Sequence, residues 1–196
     1  MTPPLFNDFT GLILDGGRAT RLGGAHKAFL EVGGSPIAPR TTALLRSLFA
    51  SVLAASSRPE AWAALSVPCV GDPVADAGPL AGIAAGLLAC PTPFAFVVAG
   101  DMPDVSPEVV AEICRRARQA GTCAVPRVGG RAEPLHAAYL TSVGPAALAA
   151  VLGGTRKLTD FLALVPVTWV DEAALASLPG GVRSFRNVNT PEDLGG

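Results

Sequence analysis

The chain has 196 residues, of which 49% are hydrophobic and 16% are charged, and this length and apolar content predict a single domain over residues 1–196 with one substantial core. The formal net charge of −1 argues against a broad nucleic-acid-binding surface, although it is compatible with a local cationic pocket for a small anion. The N-terminus lacks the basic start and apolar run of a secretory signal, and the longest apolar run, Phe94–Ala99, is too short to cross a bilayer, so we expect a cytoplasmic protein with neither a membrane nor a nucleic-acid partner.

Short apolar runs alternate along the chain with longer segments that have helical spacing. This alternation is typical of strands joined by crossover helices, and it predicts a three-layer α/β/α fold with a mostly parallel sheet. The predicted strands cover residues 12–15, 51–55, 67–71, 94–100, 123–126, 135–140, 166–170 and 185–188. A Gly129-Gly130 pair predicts a turn that joins an antiparallel pair to the parallel core.

Three helices are predicted to begin where a hydroxyl residue stands directly before a proline. These pairs are Ser35-Pro36, Ser106-Pro107 and Thr190-Pro191. The hydroxyl can cap the helix, and the proline can take the first helical position, where its missing N–H costs nothing.

The first predicted strand leads directly into a segment rich in glycine and positive charge, LILDGGRATRLGGAHKAFL, at residues 12–30. In an open α/β sheet the loop after the first strand lies at the ligand edge and often holds phosphate. Because they lack Cβ atoms, Gly16 and Gly17 let backbone amides approach an anion closely, while Arg18, Arg21 and Lys27 supply charge. The spacing fits neither the Walker motif nor the dinucleotide-binding glycine motif.

This segment resembles the nucleotidyltransferase signature L-x-G-G-x-x-x-R-x-G-x-x-x-K, and later segments narrow the resemblance. The matching positions are Leu14, Gly16, Gly17, Arg21, Gly23 and Lys27. The later segments are DPVADAGPLAGIAAGL at 72–87, VVAGDMPDV at 97–105, EPLHAAY at 133–139 and NVNTPEDL at 187–194. Together they are similar, in order and over nearly the whole chain, to the molybdenum cofactor guanylyltransferases.

The resemblance implies a single Rossmann-like nucleotidyltransferase domain, mostly parallel with an antiparallel portion, that requires Mg²⁺. It implies transfer of GMP from GTP to molybdopterin that carries molybdenum, with release of pyrophosphate. The implied partners are GTP and molybdenum-molybdopterin, and beyond them molybdopterin-insertion proteins or recipient molybdoenzymes. The alternatives are a molybdopterin cytidylyltransferase, a sugar- or alditol-phosphate nucleotidyltransferase, and a nucleotide-binding regulator without turnover.

Carried over by position, the resemblance also implies roles for individual residues. The implied nucleotide-binding residues are Leu14, Asp15, Gly16, Gly17, Lys27, Ser57, Asp72 and Asp101. The implied catalytic residues are Lys27, Arg21 and Asp101, and Asp101 is also the implied magnesium ligand. Asn187 and Asn189 match a segment near the pterin end of the site.

The residues themselves support the role of Asp101. It follows the most continuous apolar run of the chain, so its carboxylate should emerge at the ligand edge of the sheet. There, a hard cation bound to phosphate oxygens needs an oxygen donor. We expect His136, which lies in an apolar strand pattern, to be a buried core histidine rather than a catalyst.

Three positions depart from the pattern of the family. Asp15 stands where a small residue, commonly alanine, is usual; its carboxylate would repel phosphate, but turned the other way it could accept hydrogen bonds from guanine. Ser57 stands where asparagine is common, and His26 stands where an acid is common. We assign no chemistry to His26.

Overall fold

The structure is a computed structural model that describes residues 5–16, 26–71, 74, 77–190 and 193. Its strands are β1 (Phe6–Asp15), β2 (Glu31–Val32), β3 (Ser35–Pro36), β4 (Phe49–Ser56), β5 (Cys69–Val70), β6 (Phe94–Ala99), β7 (Cys123–Val128), β8 (Arg131–Ala132), β9 (His136–Leu140) and β10 (Val167–Asp171). Its α-helices are α1 (Ile37–Leu48), α2 (Pro59–Ala63), α3 (Pro79–Ala89), α4 (Pro107–Ala120), α5 (Gly144–Leu152), α6 (Leu158–Leu162) and α7 (Glu172–Ala176).

An eight-stranded sheet in the order β10-β7-β9-β6-β1-β4-β5, with β8 paired to β7, forms the centre of the protein. The strands β6, β1, β4 and β5 run parallel, whereas β9 is antiparallel to both β6 and β7. Leu14 is in register with Ala55 on β4 and with Ala99 on β6. The central strands therefore end at one level, and the mixed sheet confirms the predicted fold class.

Helices cover the two faces of this sheet, and β1 contributes side chains to both. Phe9 and Ile13 join a buried cluster with α1 and α4, whereas Leu12 and Leu14 join a second cluster with α3 and α5. This alternation follows from the two-residue period of a strand. Because both faces are covered, the buried parts of the central strands are apolar on both faces, as in residues 12–14 of β1 and throughout β6.

Several predicted strands are confirmed in position but differ in length. β1 begins at Phe6 rather than at residue 12, because Phe6 and Phe9 are also buried in the core. An irregularity in the pairing with β4 between Phe6 and Thr10 lets both rings join the same cluster. By contrast, β5 covers only Cys69–Val70 of the predicted 67–71. The turn at Gly129-Gly130 is confirmed, since it joins β7 to the antiparallel β8.

The strand predicted at 185–188 is wrong. A 3₁₀ helix ends at Phe185, and no sheet partner of residues 186–188 is found in the part of the chain that the structure describes. The apolar pattern there has another cause, because Phe185 packs on the ring of His136 and Val188 lies in a small cluster with Val32 and Ile37.

One of the three predicted helix starts is confirmed, since the Ser106 Oγ accepts a hydrogen bond from the Val109 N–H at the start of α4. The prediction for Ser35-Pro36 is wrong, because both residues form β3 and α1 begins at Ile37. The hairpin turn that pairs β2 with β3 is Gly33-Gly34, and both glycines have positive φ. The third start, at Thr190-Pro191, extends outside the described residues.

Among the helices of the described residues, none combines the length and the apolar character that a membrane crossing needs.

Candidate active site

The carboxyl ends of three neighbouring parallel strands bring several of the described site residues to one edge of the sheet. β1 ends at Asp15 and is followed by Gly16; β4 ends at Ser56 and is followed by the exposed Ser57. Asp101 lies just beyond β6. Ligands of open α/β sheets bind at this edge, as the sequence predicts for these residues.

A short 3₁₀ turn, Lys27–Phe29, crosses this edge and is seated on Gly100. Ala28 is buried, and a Cβ atom added at Gly100 would lie only 3.0 Å from the Ala28 Cβ and 3.2 Å from the Leu14 carbonyl. The Gly100 N–H also donates to that carbonyl at 2.8 Å. A side chain at position 100 would therefore press on Ala28 and on the Leu14 carbonyl, whereas glycine lets the turn lie this close to the sheet.

The Lys27 ammonium meets residues from two distant parts of the chain. Its Nζ donates to Asp101 Oδ2 at 3.2 Å, to the Val188 carbonyl at 3.2 Å and to Asn189 Oδ1 at 3.0 Å. The side chains of Lys27 and Asp101 are 27% and 22% exposed, so the ion pair faces the solvent at the rim of the site. The structure thus brings together the predicted phosphate, metal and pterin residues.

The segment that carries Asn189 is fixed to the loop after β6. The Val188 N–H donates to the Asp101 carbonyl at 2.9 Å. The Arg186 guanidinium donates to Asp104 Oδ2 at 2.7 Å and to the Asp193 carbonyl at 3.1 Å. The Asp193 carboxylate in turn accepts the Asn189 N–H at 2.8 Å. These contacts hold Asn189 beside Lys27.

Two of these carboxylates are kept ionised by their donors. Burial acts to raise the pKa of Asp104, but hydrogen bonds from Arg186 and Arg183 outweigh it and hold that pKa below its usual value. Backbone N–H groups of Asn189 and Thr190 lower the pKa of Asp193. Both groups therefore remain acceptors at neutral pH.

Asn187 lies one residue before Val188 and is half-buried. Its Oδ1 is enclosed and makes no hydrogen bond to any described residue. A buried amide oxygen without a partner is uncommon in folded proteins. The predicted role of Asn187 at the pterin end of the site stays a prediction.

Asp15 is occupied by contacts within the protein. Its Oδ2 accepts hydrogen bonds from Ser56 Oγ and Trp62 Nε1, each at 2.8 Å, and it also contacts His26 Nε2. The prediction that Asp15 binds guanine stays a prediction, and it now concerns the other carboxylate oxygen, Oδ1.

Three predicted site residues, Gly17, Arg21 and Asp72, lie outside the described residues. His136 is a core histidine, as expected, because it is fully buried between β6 and the 181–185 turn, with Ser184 Oγ 3.3 Å from its Nε2. Burial lowers its pKa to about 3, so the ring is neutral at physiological pH.

Two residues that support the site were not predicted from the sequence. Arg40 on α1 donates to the carbonyls of Val32 and Pro103, and it thereby ties the β2–β3 hairpin to the loop after β6. Asp104, in the loop after β6, accepts a hydrogen bond from Arg186. No local pattern marks either residue, because each contact joins elements that are far apart in the chain.

The residues present fit a divalent cation that is shared with phosphate groups. Among the described residues, no group of three or more His, Cys, Asp or Glu side chains lies close enough to hold a metal ion on its own. Mg²⁺ commonly takes only one or two carboxylates and completes its shell with phosphate oxygens and water. Asp101, partly exposed at the sheet edge, is suited to supply one such carboxylate.

A lysine paired with a carboxylate at the carboxyl ends of the parallel strands of a mixed α/β sheet is the arrangement expected of a nucleotide-binding enzyme of the nucleotidyltransferase class. The family model for the MobA-like NTP transferase domain matches residues 11–174. A probable molybdenum cofactor guanylyltransferase of Pelotomaculum thermopropionicum is 37% identical over 185 residues, which cover 94% of this chain and 89% of the relative. Another, from Natronomonas pharaonis, is 34% identical and covers 94% of each chain.

A solved structure agrees with these matches. The molybdopterin-guanine dinucleotide biosynthesis protein A of Archaeoglobus fulgidus superposes with a TM-score of 0.81 at 26% identity, and the match covers 94% of both chains. The chain therefore belongs to the MobA-like nucleotidyltransferase family.

Proposed function

We propose that this protein transfers GMP from GTP to the terminal phosphate of molybdenum-molybdopterin, which yields molybdopterin guanine dinucleotide and pyrophosphate. The curated relatives named as guanylyltransferases support this substrate pair. The observation that carries the proposal within the molecule is the position of Lys27. Its ammonium lies between Asp101 and Asn189, at the junction of the proposed nucleotide and pterin ends.

The nucleophile in this proposal is the terminal phosphate of molybdopterin, which attacks the α-phosphorus of GTP. The second pKa of a phosphate monoester is near 6, so the attacking oxygen is already ionised at neutral pH. A protein base is therefore not needed to remove a proton. His136, which is neutral and fully buried, takes no part in the chemistry.

The task of the chain is to position two anions and to compensate their charge. Lys27 donates to phosphate oxygens, and Gly16, with open space where a Cβ would stand, lets its backbone approach the nucleotide. We propose Leu14, Gly17, Ser57 and Asp72 as further nucleotide contacts and Arg21 as a second cation. Asn187 and Asn189 bind the pterin substrate.

Asp101 would hold Mg²⁺ in this reaction. When bound, the ion supplies Lewis-acid charge compensation on phosphate oxygens. The carboxylate of Asp101 keeps its orientation because the Asp101 carbonyl accepts the Val188 N–H and its Oδ2 accepts from Lys27. Further proposed partners are the proteins that insert the finished cofactor or receive it.

The proposal is tested by turnover with purified protein, Mg²⁺ and molybdenum-molybdopterin, with GTP, CTP or ATP offered separately and in competition. We expect pyrophosphate release and dinucleotide formation with GTP, and little with the other two nucleotides. Turnover with CTP instead would identify a cytidylyltransferase. Turnover only with a sugar or alditol phosphate as acceptor would place the enzyme elsewhere in its class, and GTP binding without turnover would indicate a regulator.

A further inference from the structure

The Asp15 cluster, formed by Asp15, His26, Ser56 and Trp62, joins four separate parts of the chain at the end of β1. The Asp15 side chain is only 8% exposed, and a single oxygen, Oδ2, receives the three other members of the cluster. A buried carboxylate is stable only when donors compensate it. The Asp15 carboxylate is thus stabilised by hydrogen-bond donors of the protein itself.

One side of the Asp15 cluster leads to Lys27. His26 directly precedes Lys27, and its Nε2 is held by Asp15. The His26 ring also packs against Phe29, with 4.6 Å between ring centroids, and Phe29 meets Trp62 edge to face at 5.3 Å. The Lys27–Phe29 turn is therefore held at its start by Asp15 and at its end by the aromatic contacts of the same cluster.

The other side leads to Ser57. The Ser56 hydroxyl donates to Asp15 Oδ2 at 2.8 Å and accepts the Arg58 N–H at 3.1 Å. These two bonds fix the backbone on both sides of Ser57 where the chain leaves β4. The same carboxylate thereby reaches two proposed nucleotide contacts that lie on different elements.

We propose that Asp15 is a positioning residue of the nucleotide site, which acts through His26 on Lys27 and through Ser56 on Ser57. This inference rests on the proposed function and deepens it, since it names what fixes the phosphate-binding lysine. It differs from the view that Asp15 itself binds guanine. If Asp15 bound guanine, the activity lost on substitution of Asp15 would depend on the base of the nucleotide and not on whether Lys27 is present.

The decisive experiment is a double-mutant cycle between His26→Ala and Lys27→Ala, measured as kcat/KM for GTP. If His26 acts through Lys27, His26→Ala alone lowers kcat/KM about ten- to hundredfold, since misplacing a catalytic group by about 1 Å can cost this much. In the Lys27→Ala background the further loss should be less than about twofold, because coupled residues are not additive. An equal loss in both backgrounds overturns the inference.

Two further variants separate positioning from other roles. His26→Gln keeps an N–H donor for Asp15 and should restore most of the activity that His26→Ala loses. Asp15→Asn should weaken the binding of GTP and of inorganic triphosphate, which has no base, by the same factor. A loss confined to GTP would show that Asp15 binds the base directly, and failure of His26→Gln to restore activity would contradict the contact with Asp15.

A binding measurement that involves no transfer keeps this test independent of the proposed function. Inorganic triphosphate is titrated into the wild type, His26→Ala, Lys27→Ala and the double variant by calorimetry. We expect His26→Ala to weaken binding severalfold and to add nothing in the Lys27→Ala background. If His26→Ala weakens triphosphate binding equally with and without Lys27, the positioning role is refuted. If His26→Ala has an effect only when Lys27 is present, but the wild type shows no guanylyl transfer, the proposed function fails and the positioning role stands.

Discussion

Lys27 and Asp101 compensate one another at the edge of the sheet, so a change in one leaves the charge of the other at the site. They are 74 residues apart in sequence, yet Nζ and Oδ2 lie 3.2 Å from each other. Both side chains remain partly exposed, so their contact contributes little to stability. The contact instead fixes the position of each side chain in the site. Substitutions of Lys27 or Asp101 should therefore affect activity far more than folding.

Asp101→Ala is expected to lower kcat on the order of a hundredfold, the scale that follows from losing a principal electrostatic contact. Steady-state pyrophosphate release at saturating Mg²⁺ measures this loss. Thermal unfolding of the same variant should differ little from that of the wild type. Turnover at the normal rate would show that Asp101 has no part in metal or phosphate binding.

The sequence could predict that Asp101 and Lys27 lie at the same end of the sheet because each follows a pattern that is local in the chain, an apolar strand or a glycine-rich turn; their roles in binding and catalysis stay predictions. It did not predict the Asp15 cluster, since His26, Ser56 and Trp62 converge only after β1 and β4 have paired. A charged residue at a strand end has no fixed partner until the neighbouring strand is placed. This is why Asp15 could be interpreted in two ways from its sequence alone.

At the scale of elements, the 3₁₀ turn over Gly100 positions Lys27 by close packing. Gly100→Ala would place a Cβ 3.0 Å from the Ala28 Cβ, and we expect the turn to shift relative to Asp101 to relieve this contact. We expect kcat/KM to fall about tenfold or more, since displacements of this kind misplace a catalytic group. Steady-state kinetics with GTP measures the effect.

The matched control is Gly144→Ala, whose Cβ would lie 3.3 Å from Leu87. Gly144 begins α5 at the opposite edge of the sheet, beyond the end of the antiparallel β9. The Gly144→Ala substitution should lower the melting temperature and leave kcat/KM nearly unchanged. If both variants lost activity in proportion to stability, the turn over Gly100 would have no special part in placing Lys27.

The segment that carries Asn187 and Asn189 depends on the arginine behind it. Arg186 is 28% exposed and donates to Asp104 at 2.7 Å, whereas Arg183, 71% exposed, reaches the same carboxylate at 3.1 Å. Arg186→Ala should release the segment and raise KM for the pterin substrate about tenfold, a loss of about 1.4 kcal/mol in binding.

Arg183→Ala is the matched control, because an exposed ion pair contributes little. KM for the pterin substrate and KM for GTP are measured in parallel for both variants. Equal effects of the two substitutions, or an effect of Arg186→Ala on GTP alone, would contradict the role of this segment at the pterin end. The sequence did not show this arrangement, since residues 185–188 have the apolar pattern of a strand but pack as an irregular segment.

At the scale of the whole molecule, β1 supplies side chains to the buried clusters on both faces of one sheet. If β1 left the sheet, the side chains of both clusters would be exposed to solvent. We therefore propose that residues 1–196 form one domain that unfolds in a single transition.

His136, buried near the middle of the molecule, should make stability depend on pH. Its pKa is about 3 in the folded protein and near 6.5 when unfolded, so the unfolded chain binds the extra proton between these values. The stabilisation by the neutral ring is complete above about pH 6.5 and is lost as the pH falls toward 3, with a slope of up to about 1.4 kcal/mol per pH unit.

Denaturant unfolding of the wild type and of His136→Gln between pH 4.5 and 7 measures this dependence. The variant replaces the imidazole with a group that does not titrate, so its free energy of unfolding should vary less over this range. Asp104 and Glu112 have lowered pKa values and contribute mainly below this range, where carboxyls are protonated. Identical slopes for the two proteins would show that His136 is not kept neutral by burial.

The contact between Lys27 and Asn189 joins residues that are 162 positions apart. During translation, Lys27 therefore leaves the ribosome long before Asn189 does. A nascent polypeptide that ends before Val188 already contains every described strand of the central sheet, yet of the three described partners of the lysine ammonium it can present only Asp101. The active arrangement is thus completed only once Val188 and Asn189 have been added, after the sheet on which it rests.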